Sequence, residues 1–375
     1  MINDTIIDNV EPFNEIFYKI CFNNSFIPVI RFLGKSELPF LINDIIVYKL
    51  EDDEKWNQFG VEYISHNYFE DVLKDEGIEF ETKENCDNIV EDTCRAINRG
   101  RPVIIWIDCF YDPLRNDTYH KKHMVHTLLI YGYNKEERIF HIVEHKYQHS
   151  LSYAKNTISF SDLTNCYEGQ LVNVYKCGVP NFNACERKCG YPHSSDYRNN
   201  CGFLKYANLK NRNNFPNYYE FYINTDSNNI AAQEVKTNNF NNYCKNLIKS
   251  KEIILAGLDR LGIFVSQVEI VLASEDELSK NSEVLLNITN EIMNAKLAEK
   301  FKITQMEGIN KELLFILDKT IAALSYVRNN IVKYMYSLVY HQEKMQEINE
   351  RLNNVLKNED YYYQRLYSFI ETHVE

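Results

Sequence analysis

The chain has 375 residues, too many for one ordinary core and enough for two domains. Hydrophobic residues make up 45% and charged residues 25%, which is a globular composition. The formal net charge of −12 argues against a protein that grips phosphate backbones, so nucleic acid is not an expected partner. No run of about 18 apolar residues exists, so no membrane span is expected either.

The stretch Met1 to Phe17 carries acids where a secretory leader carries basic residues. The ten cysteines therefore read as cytosolic thiols rather than a disulfide frame, and a cytoplasmic location is the expectation.

Phe13 to Leu33 reads as an apolar helical stretch, interrupted by Asn23, Asn24, Ser25 and Pro28 and stopped by Gly34. Asp44 to Leu50 suggests a strand. His66 to Gly77 and Asn88 to Gly100 suggest helices, each closed by a glycine. Three strand-like runs follow: Pro102 to Phe110, Thr127 to Tyr133 and Arg138 to His145. The turn Asn134-Lys135-Glu136-Glu137 joins the last two as an antiparallel hairpin. Thr157 to Phe160 and Leu171 to Lys176 are further candidate strands, with Ser161 capping a short helix between them. Helices first and a strand meander after predict an α+β domain over residues 1–177. Residues 178–224 read as an irregular insertion or linker, because Gly178 to Asn217 is rich in Asn, Tyr, Gly and Cys with little periodicity.

All eight prolines lie at or before Pro216, and only three of the twelve glycines follow it. Residues 225–375 have thus lost almost every helix breaker and are expected to form an all-α bundle. Ile254, Leu258, Leu261, Val265, Val268 and Leu272 step by four and three, and a shorter seam runs through Leu285, Ile288, Ile292 and Ala295. The longest seam runs from Leu313 to Val355, broken in apolar register only at Thr320 and His341, and predicts one helix of about 65 Å. Gly308 falls where two helices would turn. Such helices pack as a bundle with no chemistry of their own, or serve as an arm that docks a partner or a second copy of the chain.

A cysteine nucleophile needs a helix N-terminus, a histidine base within reach and a polar group that orients the histidine. Cys21 precedes the apolar helical segment Phe26, Ile27, Val29, Ile30, Phe32 and Leu33. His126 begins an apolar strand, and Glu144 ends the next, where the hairpin brings it back beside His126. By spacing alone, a core cysteine and a surface histidine would explain the same residues.

The stretch Cys21-Phe-Asn-Asn-Ser-Phe-Ile-Pro-Val-Ile-Arg-Phe-Leu-Gly34, followed by Ser36-Glu37, resembles the opening of the butirosin-biosynthesis-H N-terminal domain family, a relative of the papain-like cysteine peptidases of the C39 type. Gly100-Arg-Pro-Val-Ile-Ile-Trp-Ile-Asp108-Cys-Phe-Tyr111 is similar to the family's strand that ends in an aspartate and a tyrosine. His123-Met-Val-His126 and the segment from Gly132 to Glu144 resemble its paired histidines, its turn and its acidic strand end. The resemblance implies a papain-like fold and a cysteine acyltransferase, with Cys21 as nucleophile, His126 as base and Glu144 as orienting acid. It implies an acyl group carried as a thioester on the phosphopantetheine arm of an acyl or peptidyl carrier protein, a small amine acceptor and no other cofactor. An amide synthetase of polythioamide assembly, of the closthioamide type, is a further match. A peptidase or thioester hydrolase on the same scaffold and a non-catalytic helical scaffold are the alternatives.

Papain-like enzymes place a glutamine six residues before the cysteine as an oxyanion donor; here that position is Glu15, and the neighbouring Asn14 is the candidate in its stead, with the backbone N–H of Cys21 contributing. Asp108 and Tyr111 are candidate pocket residues, with Asp108 placed to hold the acceptor amine; a strand-end acid bonded to a loop amide is the competing reading of Asp108. Two residue groups could be read as metal sites, and no metal is expected at either. His123, His126 and Glu144 have poor spacing, and Cys177, Cys185, Cys189 and Cys201 with His193 fit no zinc finger.

Overall fold

The computed structural model describes residues 4–50, 52–53, 55–147, 151–175, 216–223, 232–306 and 310–373. Two compact units emerge, one from Met1–Glu37 and Asn67–Asn229, the other from Leu38–His66 and Ile230–Glu375. In chain order the first elements are β1 (Asp4–Ile6), α1 (Cys21–Phe32), α2 (Leu38–Ile42), β2 (Asp44–Leu50), β3 (Phe59–Ser65) and α3 (Phe69–Asp75). There follow β4 (Ile78–Lys83), α4 (Ile89–Asn98), β5 (Val103–Asp108), β6 (Val125–Asn134), β7 (Ile139–Glu144), β8 (Ala154–Ser159), α5 (Phe160–Tyr175) and β9 (Tyr218–Ile223). The remaining helices are α6 (Ala232–Lys249), α7 (Lys251–Leu272), α8 (Glu275–Thr304), α9 (Lys311–Ser337) and α10 (Gln342–His373).

The first unit is α+β. Its antiparallel sheet runs β4-β9-β5-β6-β7-β8, with β1 added on β6. β5, Val-Ile-Ile-Trp-Ile-Asp, is buried at every residue, as a continuous apolar run at the centre of a sheet should be. α1 seats on the sheet through aromatic rings. Phe22 stacks on Trp106 at 6.0 Å and meets Tyr219 edge-on at 5.2 Å, while Phe26 lies 5.1 Å from Phe221. Gly34, Gly77 and Gly100, read as helix stops, all hold φ near +70° (70, 69 and 71).

Three readings of this half need correction. The helix expected from Phe13 begins only at Cys21, because Ile16 and Tyr18 give their backbone groups to the buried amide of Asn24 instead. Leu171 to Tyr175 is the end of α5, not a strand: the expected short helix begins at Phe160, ahead of Ser161, and runs on unbroken to Tyr175. Tyr218–Ile223 falls inside the expected linker but is a sheet strand between β4 and β5, its Tyr218, Tyr219 and Phe221 buried. Cys177, Cys185, Cys189, His193 and Cys201 lie outside the described residues.

The second unit is helical, with the hairpin of β2 and β3 packed into it. Ile45, Ile46, Val47 and Tyr48 of β2 share a core with the heptad residues of the helices. That burial draws Leu38–His66 out of the domain its sequence position suggests. Every apolar residue of the two shorter seams is buried. The long seam is not one helix. Leu338 takes a left-handed φ of 54°, ends α9 and is 71% exposed. α10 then folds back, so that Arg365 reaches Glu312 at 2.7 Å and Lys344 reaches Tyr326 at 2.8 Å. Gly308 lies outside the described residues.

The core of this unit holds charges. Lys296 pairs with Glu359, and both are fully buried. Tyr48 donates to Glu359 at 2.8 Å, and the Lys296 ammonium lies 5.2 to 5.9 Å from the rings of Tyr48, Tyr362 and Tyr363. Lys302 bonds Glu299 and the carbonyl of Asp44, each at 2.9 Å, and Tyr243 and Tyr362 also donate to Glu299. No helix among the described residues is long and apolar enough to cross a membrane.

Candidate active site

Cys21 is the first residue of α1, behind the extended N-cap Ile20. The first N–H groups of a helix have no partner within it, so the sulfur sits at the positive end of the helix. Of the six cysteines among the described residues, Cys21 alone keeps part of its surface exposed. The hydroxyl of Thr127 and its N–H hydrogen-bond the sulfur, and Ser25 bonds the Thr127 hydroxyl at 3.1 Å. Burial pushes the thiol above its ordinary value; the Thr127 bonds and the charge of Arg115 oppose the rise without reversing it. The balance favours the thiol over the thiolate in the resting site.

His126 and Glu144 come together through sheet register. Leu129 pairs with Val143, so Glu144, one residue further along β7, shares a face with Leu128 and His126. His126 Nε2 lies 3.1 Å from Glu144 Oε1. The same oxygen accepts the N–H of His145 at 2.6 Å, while the other, Oε2, is buried without a hydrogen-bond partner. Burial pushes the Glu144 carboxyl up to about 7, against the pull of His145 and Arg115.

A cavity of about 160 Å³ is lined by Phe17, Lys19, Ile20, Cys21, Arg115, Met124, Val125, His126 and His145. It thus holds the expected nucleophile and base together, with Glu144 directly behind the base. Asn14, Asp108 and Tyr111 do not line it. The Asn14 amide is engaged in both directions by the backbone of Tyr153, each bond 2.9 Å. Glu15 is ion-paired with Arg31 at 2.6 Å. Asp108 accepts the N–H groups of Phe110 and Met124 and pairs with His123 Nδ1 at 2.6 Å, the strand-end role that competed with a pocket role. Tyr111 packs on Phe110 and against Gly169, where an added Cβ would fall 2.4 Å from the Tyr111 ring.

Two residues were missed. Arg115 is fully buried, donates to His145 Nε2 at 2.9 Å and is clamped by Asp117 through Nε at 3.2 Å and Nη2 at 3.3 Å. A guanidinium can only donate, so His145 Nε2 accepts and that ring carries its proton on Nδ1. His145 stacks between His126 at 4.8 Å and Tyr153 at 4.3 Å. The signal was present for His145, which directly follows the strand-end acid. Arg115 comes from a loop, and nothing in its local pattern foretells burial.

Residues 37–145 match the family model for butirosin biosynthesis protein H, N-terminal. The resemblance read from the sequence therefore holds across the segment that carries Arg115, His126, Glu144 and His145 of the site. The butirosin biosynthesis protein H match begins after α1 and does not include Cys21. No curated protein matches the chain.

His126, Glu144 and His145 place three potential metal-ligand atoms within 4.8 Å of one another. They fit a metal poorly. The lone pair of His145 Nε2 already accepts from Arg115, and that cation stands 3.9 Å from Glu144 Oε1. His123, the other histidine of the paired motif, is held by Asp108.

Proposed function

We propose that the first unit is a papain-like, cysteine-dependent acyltransferase of natural-product assembly, working in the cytoplasm. On this reading it moves an acyl group from a carrier-protein thioester through acyl-Cys21 to an amine. The observation that carries it is the shared cavity: the cysteine at a helix N-terminus opens on the same space as a histidine whose far nitrogen is held by a buried acid. The match to butirosin biosynthesis protein H, N-terminal, supports the biosynthetic context.

Nε2 of His126 faces Glu144, which leaves Nδ1 to take the Cys21 proton as the sulfur attacks. The carbonyl carbon gains a bond to Sγ and its π pair moves onto oxygen. Collapse expels the carrier thiolate, which takes the proton from His126, and leaves acyl-Cys21. An amine then adds to the acyl carbon, its proton passes to His126 and on to the Cys21 sulfur, and the amide departs. The steps balance with the phosphopantetheine arm as sole carrier. Phe17, Ile20, Met124 and Val125 give the cavity apolar walls that favour an amine over water as acceptor.

Intact-protein mass after incubation with an acyl N-acetylcysteamine thioester tests the reading. An added acyl mass on the wild-type chain, absent in Cys21→Ala and lost as amide when an amine is supplied, is the expected result. Release as free acid in the presence of amine would indicate hydrolysis instead. No adduct at Cys21 would overturn both.

A further inference from the structure

The side chain expected to hold the oxyanion, Asn14, is engaged by the backbone of Tyr153, and Glu15, which stands where papain-like enzymes carry glutamine, is ion-paired with Arg31; that leaves the N–H of Cys21 at the start of α1 without a side-chain donor beside it from this segment. Two cationic side chains line the cavity, Lys19 and Arg115. Lys19 is only partly buried, whereas Arg115 is fully buried and fixed on two sides, by Asp117 and by His145. A guanidinium has five N–H bonds in a rigid plane. Three have hydrogen-bond partners among the described residues, through Nε, Nη1 and Nη2, so one N–H on Nη1 and one on Nη2 remain. A buried, preorganised charge with two spare donors, lining the same cavity as the nucleophile, is what a developing oxyanion requires.

We propose that Arg115 is the oxyanion-holding residue of this site, its two spare N–H bonds meeting the carbonyl oxygen that becomes negative when the Cys21 sulfur adds. This rests on the acyl-transfer reading. As the C–S bond forms, the π pair of the carbonyl moves onto oxygen, and the guanidinium meets that charge. When the pair returns, the bond to the leaving thiolate breaks. Arg115 thus does the work that a glutamine six residues before the cysteine does in papain-like enzymes, from a loop between β5 and β6.

The test compares two reactions of the same sulfur in the full-length chain. Acylation by an acyl N-acetylcysteamine thioester passes through an oxyanion; alkylation by iodoacetamide is a displacement at a saturated carbon and does not. Rates at Cys21 are followed by peptide mapping in wild type, Arg115→Met and Arg115→Lys, with circular dichroism confirming the fold. Arg115→Met should lose about 10²–10³-fold in acylation, while alkylation, slowed only through the rise in the Cys21 thiol that loss of the Arg115 charge brings, should change far less. Arg115→Lys should recover part of the acylation rate, since it restores a donor and a charge. If Arg115→Met does not fold, Arg115→Lys carries the test, with acylation reduced and alkylation kept. Equal slowing of both reactions would make Arg115 a residue that merely supports the thiol, and unchanged acylation would remove it from the chemistry; either result overturns the proposal. A wild-type chain that alkylates but never acylates would remove the acyl-transfer reading itself, an outcome distinct from a failure of Arg115 alone.

Discussion

Glu144 Oε1 lies 3.1 Å from His126 Nε2, while the second oxygen of the same carboxyl is buried and unpartnered. The carboxyl is therefore only half-satisfied, and a buried charge in that state favours its proton. Arg115, His126, His145 and Asp117 face it, and burial outweighs their sum: the carboxyl rises from 4.5 to about 7. The native state then keeps a proton that the unfolded chain releases above 4.5. Stability from this group is fully present below pH 4.5 and falls as pH rises toward 7, by about 3 kcal/mol. Glu144→Gln should flatten that window in urea melts run from pH 4.5 to 7.5. A residual slope is expected from Asp112, which burial also pushes up to about 7. An unaltered slope in the variant would show that Glu144 is ionised throughout.

The protonated state of Cys21 gives a second expectation. Burial raises its thiol, so alkylation at Cys21 by iodoacetamide should climb steadily with pH past neutrality toward and beyond 9.0. A resting thiolate–imidazolium pair would behave differently, with a rate already flat from about pH 5 to 8. A plateau of that kind, measured by peptide mapping, would mean that His126 takes the proton before substrate arrives rather than during attack.

What the sequence showed of this site follows from residue type and order. Cys21, His126 and Glu144 were legible because a thiol, an imidazole and an acid fall at the ends of three regular elements, and hairpin register then determines which face the last two share. Arg115 was not, because its part depends on burial in a loop, which periodicity does not encode. The same distinction explains the fold. α4 carries its own signals, with Asn88 accepting the N–H of Glu91 at its start and Gly100 at its end. The turn at Leu338 carries none: it uses a left-handed leucine where glycine is usual, and the apolar register resumes at Met345 as if one helix continued. β9 was hidden because its partners β4 and β5 lie more than 100 residues before it, and partner strands so distant in sequence leave no local mark.

Gly257 of α7 meets β2 at close range. A Cβ there would fall 3.0 Å from the backbone nitrogen of Tyr48 and 3.1 Å from its carbonyl oxygen. Backbone in a paired strand cannot step aside as a side chain can. Gly257→Ala gains about 1 kcal/mol in helix propensity, yet overpacking costs about 1–3 kcal/mol. A net loss of stability is expected, read as a lower urea midpoint at unchanged slope. A higher midpoint would mean that helix and hairpin have room to separate.

Lys296 and Glu359 set the last prediction, because a buried pair differs from the sum of its halves. Both are fully buried; Tyr48 also donates to Glu359, and one Glu359 oxygen has no hydrogen-bond partner. Lys296→Met strands a carboxylate in the core with only the Tyr48 hydroxyl for company, and should cost about 3–5 kcal/mol. Glu359→Met strands the ammonium, with the three tyrosine rings as partial compensation, and should cost less than Lys296→Met. The double substitution removes both charges and replaces them with apolar volume, so it should be more stable than either single variant and near the parent chain. Urea unfolding of the four chains gives the coupling directly. Additive losses would show that each charge is stabilised by its own surroundings, and that the ion pair is incidental to the packing of α8 against α10.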